Sequence, residues 1–254
     1  LSLSALLDAM LAPAPDAARV AFLKDQPFAH RGLHGGETIE NSLSAFDQAI
    51  AAGYGMECDV QASLDGVPFV FHDATLDRLT GEKGAFAART AGLLDAVVLS
   101  GCGEHLPRLE ALLARVAGRG ALLIEVKASG RQVAGLCRSV QGALAGYAGP
   151  VAVMSFNPMV GAWFGRHAPD VVRGLVVTEQ GKGKLRGPIE RTLALWRAKP
   201  DFLAYDIRDL PAPFATRARR RGLPVLTWTV RDAGQEAVAM IHADQIIFEL
   251  PPRG

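Results

Sequence analysis

After residue 120 the chain settles into a regular alternation, and that alternation limits what it can fold into. Short apolar, β-rich runs at residues 121–126, 151–156, 172–178, 202–207, 224–230 and 245–248 are separated by stretches of helical spacing. Those stretches are residues 132–144, 159–167, 189–198, 213–221 and 234–242. The strand-like runs are continuously apolar and do not alternate with polar residues, as expected of a parallel sheet covered on both faces. Upstream, residues 27–30 and 56–61 add two strands with a helix at 42–52 between them. Strand ends then fall near residues 30, 59, 125, 155, 177, 206, 229 and 248, in β-then-α order. The pattern predicts an α/β fold, a (β/α)8 TIM barrel. Residues 62–120 are too long for a simple crossover. They hold an extra strand at 67–72, a glycine-rich loop from Gly81 and a helix at 109–116. We read them as an insertion over the barrel mouth within one domain spanning 1–254.

Composition narrows the function classes. The 254 residues are 49% hydrophobic, enough for a sizeable core, and 27 Lys and Arg balance 26 Asp and Glu. Bulk charge therefore offers nothing to nucleic acid. The basic run Arg217, Arg219, Arg220 and Arg221 stands alone and reads as the solvated end of a helix. The three cysteines, Cys58, Cys102 and Cys137, are scattered and make neither a disulfide framework nor a zinc spacing. Reduced thiols in a cytoplasm are the simplest reading. Residues 1–10 are apolar but short, lack a basic leader and carry Asp8, so no signal peptide is expected. No apolar run approaches the roughly 20 residues of a spanning helix.

Barrel active sites gather at the C-terminal ends of the strands. His30, Glu57, Asp59, Glu125, Lys127, Ser155, Trp228 and Glu249 all fall there. On a strand, residues i and i+2 share a face, so Glu57 projects with Asp59 and Glu125 with Lys127. Glu57, Asp59 and Glu125 form an all-oxygen set, which suits one divalent cation, Mg2+ or Ca2+, better than zinc. The competing reading is a structural salt-bridge cluster partnered by Arg31 and Lys127. His30 and His72 are the candidate acid and base, because imidazole titrates near neutrality. Arg31 and Lys127 suit a phosphate, one as a planar fork and the other as a point charge. Asn41, just before a helix, is a good N-cap and equally a candidate for a functional role. Trp228 either walls a substrate pocket or fills core.

These residues sit in motifs: His30-Arg31-Gly32, Glu40-Asn41-Ser42, Glu57-Cys58-Asp59-Val60, His72-Asp73 with Leu76, Arg78 and Thr80, Ile124-Glu125-Val126-Lys127, and Trp228-Thr229-Val230. In that order they resemble the glycerophosphodiester phosphodiesterase family over about residues 27 to 250. The resemblance implies a (β/α)8 barrel with an insertion after the second strand. It implies a divalent metal on Glu57, Asp59 and Glu125, His30 and His72 as general base and acid, and phosphate held by Arg31 and Lys127. It also implies a small-molecule glycerophosphodiester substrate, cleaved to glycerol 3-phosphate and an alcohol, with a water or the neighbouring glycerol hydroxyl as nucleophile. Ser42 stands where threonine is usual, Arg231 where asparagine is frequent, and Phe248-Glu249 where a Thr-Asp pair is common. An added cation at Arg231 suggests a more anionic head group. Two other readings compete. One is lysophospholipase D-like cleavage of lysophospholipids, with an apolar groove from Leu33, Phe69, Phe71 and Phe86. The other is a barrel that binds phosphate esters without turnover.

Overall fold

The computed structural model describes residues 10–249, and the expectation for the N-terminal segment therefore falls almost wholly outside the described residues. The chain has the (β/α)8 barrel fold. Before the first strand comes a short helix α1 (Ala17–Val20), capped by Asp16, whose carboxylate accepts the Ala18 amide at 2.8 Å. Strands and helices then follow in the order β1 (Phe28–Ala29), α2 (Leu43–Ala51), β2 (Gly55–Ala62), β3 (Pro68–Val70), α3 (Ala91–Asp95), α4 (Leu109–Val116), β4 (Leu122–Val126) and α5 (Ala134–Ala143). The remainder is β5 (Val151–Ser155), α6 (Pro158–His167), β6 (Val172–Val177), α7 (Gly183–Ala198), β7 (Phe202–Asp206), α8 (Pro213–Arg220), β8 (Val225–Val230), α9 (Ala233–His242) and β9 (Gln245–Phe248).

Contacts divide the described residues into two units, one of residues 29–151 and one of residues 10–28 with 152–249. In the first, β2 and β4 run parallel, with Asp59 opposite Glu125 and Val60 opposite Val126. The pleat sorts their side chains. Met56, Cys58 and Val60 are fully buried on one face, and Glu57 and Asp59 share the other. The expected extra strand is shorter than its pattern: β3 pairs antiparallel with the end of β2, Val60 opposite Val70. β3 and the segment between it and α4 build a core of their own from Phe69, Phe71, Leu76, Phe86, Leu94, Val97, Leu99 and Leu106. Phe71 stacks on Phe86 with centroids 5.4 Å apart. The groove expected from Leu33, Phe69, Phe71 and Phe86 is therefore absent, since all three phenylalanines are fully or almost fully buried in that core. Phe69-Val70-Phe71 is a continuous apolar run, and such a run does not separate a lipid-facing wall from packing.

In the second unit β5, β6, β7, β8 and β9 pair parallel in that order. Arg19 of α1 ties the start of the chain to this unit, donating to the carbonyls of Pro169 and Val171 at 2.6 and 2.9 Å. Helix α7 begins six residues before the expected 189 and runs through Pro188. Lys182 and Arg186 both pair with Glu190, at 3.0 and 2.6 Å, and so support the turns around the missing proline amide. Of the basic run, Arg219 is not simply solvated: it pairs with Asp244 at 3.2 Å and donates to the Ile241 carbonyl. No helix among the described residues is long and apolar enough to cross a membrane.

Candidate active site

The first unit gathers nearly all the chemistry. One ligand oxygen each from Glu57, Asp59 and Glu125 lies within 4.8 Å of the others, and all three residues are buried. The register of β2 on β4 makes this inevitable, because it sets Asp59 beside Glu125, and the pleat brings Glu57 to the same side. Lys127 follows two residues after Glu125. Its Nζ lies 2.7 Å from Glu125 Oε1 and 2.9 Å from Asp59 Oδ1.

Asp59 has further company. Arg31 Nε stands 3.0 Å from its Oδ2, and Asn41 Nδ2 donates to the same oxygen at 3.1 Å. Asn41 Oδ1 in turn accepts the Asp59 amide at 3.4 Å. Asn41 is thus a buried strut of the site and not the helix cap. Ser42 takes that place, its hydroxyl accepting the Ala45 amide at 3.2 Å. Both Arg31 and Asn41 sit in the left-handed region, at φ 57° and 60°. That backbone turns Arg31 N–H onto Glu57 Oε2 at 3.0 Å. Gly32 follows at φ +77°, where an added Cβ would meet Ala45 backbone carbon at 2.8 Å. The His-Arg-Gly turn therefore rests directly on α2.

Electrostatics separate the three carboxyls. Burial pushes Glu57 well up, and the charges of Asp59 and Glu125 push it further. Glu125 rises to about 7, first by burial and then by Asp59, with Lys127 opposing. Burial acts on Asp59 too, but Lys127 and Arg31 outweigh it and hold that carboxyl below its ordinary range. Glu57 Oε1 is buried and accepts no hydrogen bond among the described residues. Two carboxyls raised above their ordinary range, one of them with an oxygen that has no donor, are what a hard cation would satisfy. The ion-pair reading is half right, since Arg31 and Lys127 do pair here. It leaves that oxygen unexplained. Cys58, on the opposite face, is inert, its thiol pushed well up by burial and then by Glu57.

Each of the two histidines has a carboxylate beside it. His30 Nε2 lies 3.8 Å from Glu57 Oε2. His72 Nδ1 lies 2.7 Å from Asp73 Oδ1. Arg78 hydrogen bonds first of all, and the His72 contact as well, against an opposing effect of burial, draw Asp73 down to about 2. An ionised carboxylate only accepts, so the proton of a neutral His72 sits on Nδ1. Sequence reasoning missed Gln61, which donates 2.8 Å bonds to the carbonyls of both Phe71 and Asp73 and so brackets His72. Its place two residues after Asp59, on the same face, was the available signal.

Trp228 belongs to the second unit. Its Nε1 donates to the Ala204 carbonyl at 2.8 Å, and its ring meets Phe156 edge-on at 5.3 Å. Arg231 pairs with Glu249 at 2.8 Å. Two of the departures from the family pattern are thus each other's partner, and Glu249 offsets the cation that Arg231 adds.

A family model described as the glycerophosphoryl diester phosphodiesterase family matches residues 30–247. The Bacillus subtilis protein YhdW is 29% identical over 235 residues, 88% of this chain and 93% of its own length. A glycerophosphodiester phosphodiesterase of Caldanaerobacter subterraneus is 34% identical over 113 residues, 41% of this chain and 46% of its own. Among solved structures, an Oleispira antarctica phosphodiesterase in complex with the product sn-glycerol-3-phosphate superposes with a TM-score of 0.77 at 21% identity. It covers 89% of this chain and 93% of that one.

Proposed function

Because the chain belongs to the glycerophosphoryl diester phosphodiesterase family, and so is a phosphoric diester hydrolase, we propose that it cleaves glycerophosphodiesters to glycerol 3-phosphate and an alcohol in a metal-dependent reaction. The observation that carries this reading is the buried convergence of Glu57, Asp59 and Glu125, with Glu57 Oε1 lacking a donor. These three would hold one divalent cation, Mg2+ or Ca2+. A bound cation supplies polarisation of a phosphoryl oxygen and offsets charge in the transition state.

The remaining steps belong to the side chains. Lys127 and Arg31 carry more N–H donors, three on the ammonium and five on the guanidinium, than their carboxylate partners take, and the remainder are open to phosphate oxygens. His72 presents Nε2, because Asp73 engages Nδ1. One histidine takes the proton of the nucleophile and the other protonates the departing oxygen. Trp228 is assigned to the substrate wall on its strand-end position alone. The segment 62–120 is assigned to the barrel mouth within a single catalytic domain. Three free thiols, two of them buried, suit a reducing cytoplasm.

The direct test is release of glycerol 3-phosphate from glycerophosphocholine, glycerophosphoethanolamine and glycerophosphoinositol, each with Mg2+, Ca2+ or EDTA. Metal-dependent release is expected, and release that persists in EDTA would remove the metal from the reading. His30→Ala and Glu125→Ala are each expected to lower turnover by about 100-fold or more.

A second reading, cleavage of lysophospholipids, draws on one observation. A groove of about 480 Å3 at the C-terminal ends of β5 and β6 is lined by Phe156, Met159, Leu175, Val177 and Leu193. An acyl chain would fit such a lining. Leu193→Glu should then depress turnover of lysophosphatidylcholine and spare glycerophosphocholine; equal effects on both would dismiss it.

A further inference from the structure

Arg78 has no role in the chemistry assigned above, yet it joins two of its parts. Its Nε donates to Asp73 Oδ2 at 2.6 Å, and Nη2 donates to Asp73 Oδ1 at 2.9 Å. The same guanidinium donates from Nη1 to Glu40 Oε2 and from Nη2 to Glu40 Oε1, both at 2.8 Å. Each carboxylate passes the restraint on. Asp73 holds His72 Nδ1 at 2.7 Å, and Glu40 accepts from Arg31 Nη1 at 2.7 Å. One residue thus restrains the second histidine on one side and the candidate phosphate arginine on the other.

The local fold prepares this placement. Leu76 is fully buried in the core of the 62–120 segment, and Thr80 Oγ1 bonds back to the Leu76 carbonyl at 2.8 Å. The turn between them lifts Arg78 out toward Asp73 and Glu40. Its side chain remains 48% exposed. An exposed ion pair typically adds only about 0–1 kcal/mol, so stability gives little reason for a double fork here. Geometry gives a better one: a planar guanidinium fixes two carboxylates at set angles, which an ammonium cannot do.

We propose that Arg78 is a positioning residue, a clamp that holds His72 in the Nδ1–H form through Asp73 and aims the Arg31 guanidinium through Glu40. The proposal rests on the reading of His72 and Arg31 given above. Its test has an arm that does not depend on activity. The ring nitrogens of His72, observed by 15N NMR with the imidazole neutral, should show protonated Nδ1 in the wild-type protein. Arg78→Ala and Arg78→Gln should mix the two tautomers, and Arg78→Lys should fail to restore the first. In glycerophosphocholine hydrolysis, kcat should fall about 10- to 100-fold, the usual cost of losing a partner that orients a working side chain. KM should rise as well, because Arg31 loses its restraint. Arg78→Gln and Arg78→Lys cover the case in which the alanine variant does not fold. An Nδ1–H tautomer that persists in the folded variants overturns the clamp, and so does a changed tautomer with unchanged kcat. A wild-type protein inert toward every glycerophosphodiester sinks the functional reading alone, since the tautomer still reports on the clamp.

Discussion

A carboxylate buried as fully as Asp59 needs donors that stay in place through every state of the site. Lys127 and Arg31 are long side chains, and each also serves another carboxylate. Asn41 is different: short, fully enclosed and bonded to both the side chain and the amide of Asp59. Its left-handed backbone comes at small cost for asparagine and at about 1–2 kcal/mol for an ordinary side chain. Asn41→Ala should therefore destabilise the protein by about 1–3 kcal/mol, the cost of depriving the buried Asp59 carboxylate and amide of a shared partner. Urea unfolding measures this, and an unmoved midpoint would show that Asn41 is not the strut. The sequence leaves Asn41 open between cap and site residue, because asparagine and serine cap equally well. Only the turn geometry decides that Ser42 accepts the amide while Asn41 faces inward.

At the scale of elements, the site depends on α2 supporting the turn after β1. Gly32→Ala places a Cβ at 2.8 Å from Ala45 backbone carbon and in a left-handed backbone, so α2 or the turn must shift. We expect a loss of several kcal/mol by cavity-free overpacking and strain, at the upper end of about 1–3 kcal/mol for each cause, together with loss of the Arg31 amide bond to Glu57. Ser42→Ala removes only the cap and should cost about 1 kcal/mol. Thermal melts of the two variants should differ in that order, and a milder effect from Gly32→Ala would break the link between turn and helix. The β elements were legible because a parallel strand covered on both faces writes a continuous apolar run. The i, i+2 pairing of Glu57 with Asp59 follows from the pleat. Other features had no local signature. Arg78 meets Glu40 across 38 positions, and Gln61 reaches carbonyls on the far side of the β2–β3 turn. The short helix α3 and the aromatic core of residues 62–120 depend on packing that no periodicity records.

For the molecule as a whole, the acidic cluster makes stability, pH and metal one linked problem. Glu125 titrates at about 7 in the folded chain against 4.5 ordinarily, and Glu57 is raised as well. A group raised on folding contributes stability that is complete below its unfolded value and is lost as pH climbs through its folded value. Asp59 is depressed, so its contribution has the opposite sign and is lost only as pH falls below about 3.8. The metal-free protein should thus lose Tm between about pH 4.5 and 7. Mg2+ or Ca2+ must displace the proton of Glu125, so binding strengthens over the same interval. The metal-induced rise in Tm should be small near pH 4.5 and large at pH 7, since a ligand of the folded state stabilises it by mass action. The Glu57→Gln, Glu125→Gln double variant separates this from the titration of every other carboxyl. It should melt higher than the metal-free wild type at pH 7, show a flatter profile across the interval and gain nothing from the cation. A variant that keeps the wild-type slope would place the pH dependence elsewhere in the molecule, and one that keeps the metal shift would remove these two carboxylates from the proposed site.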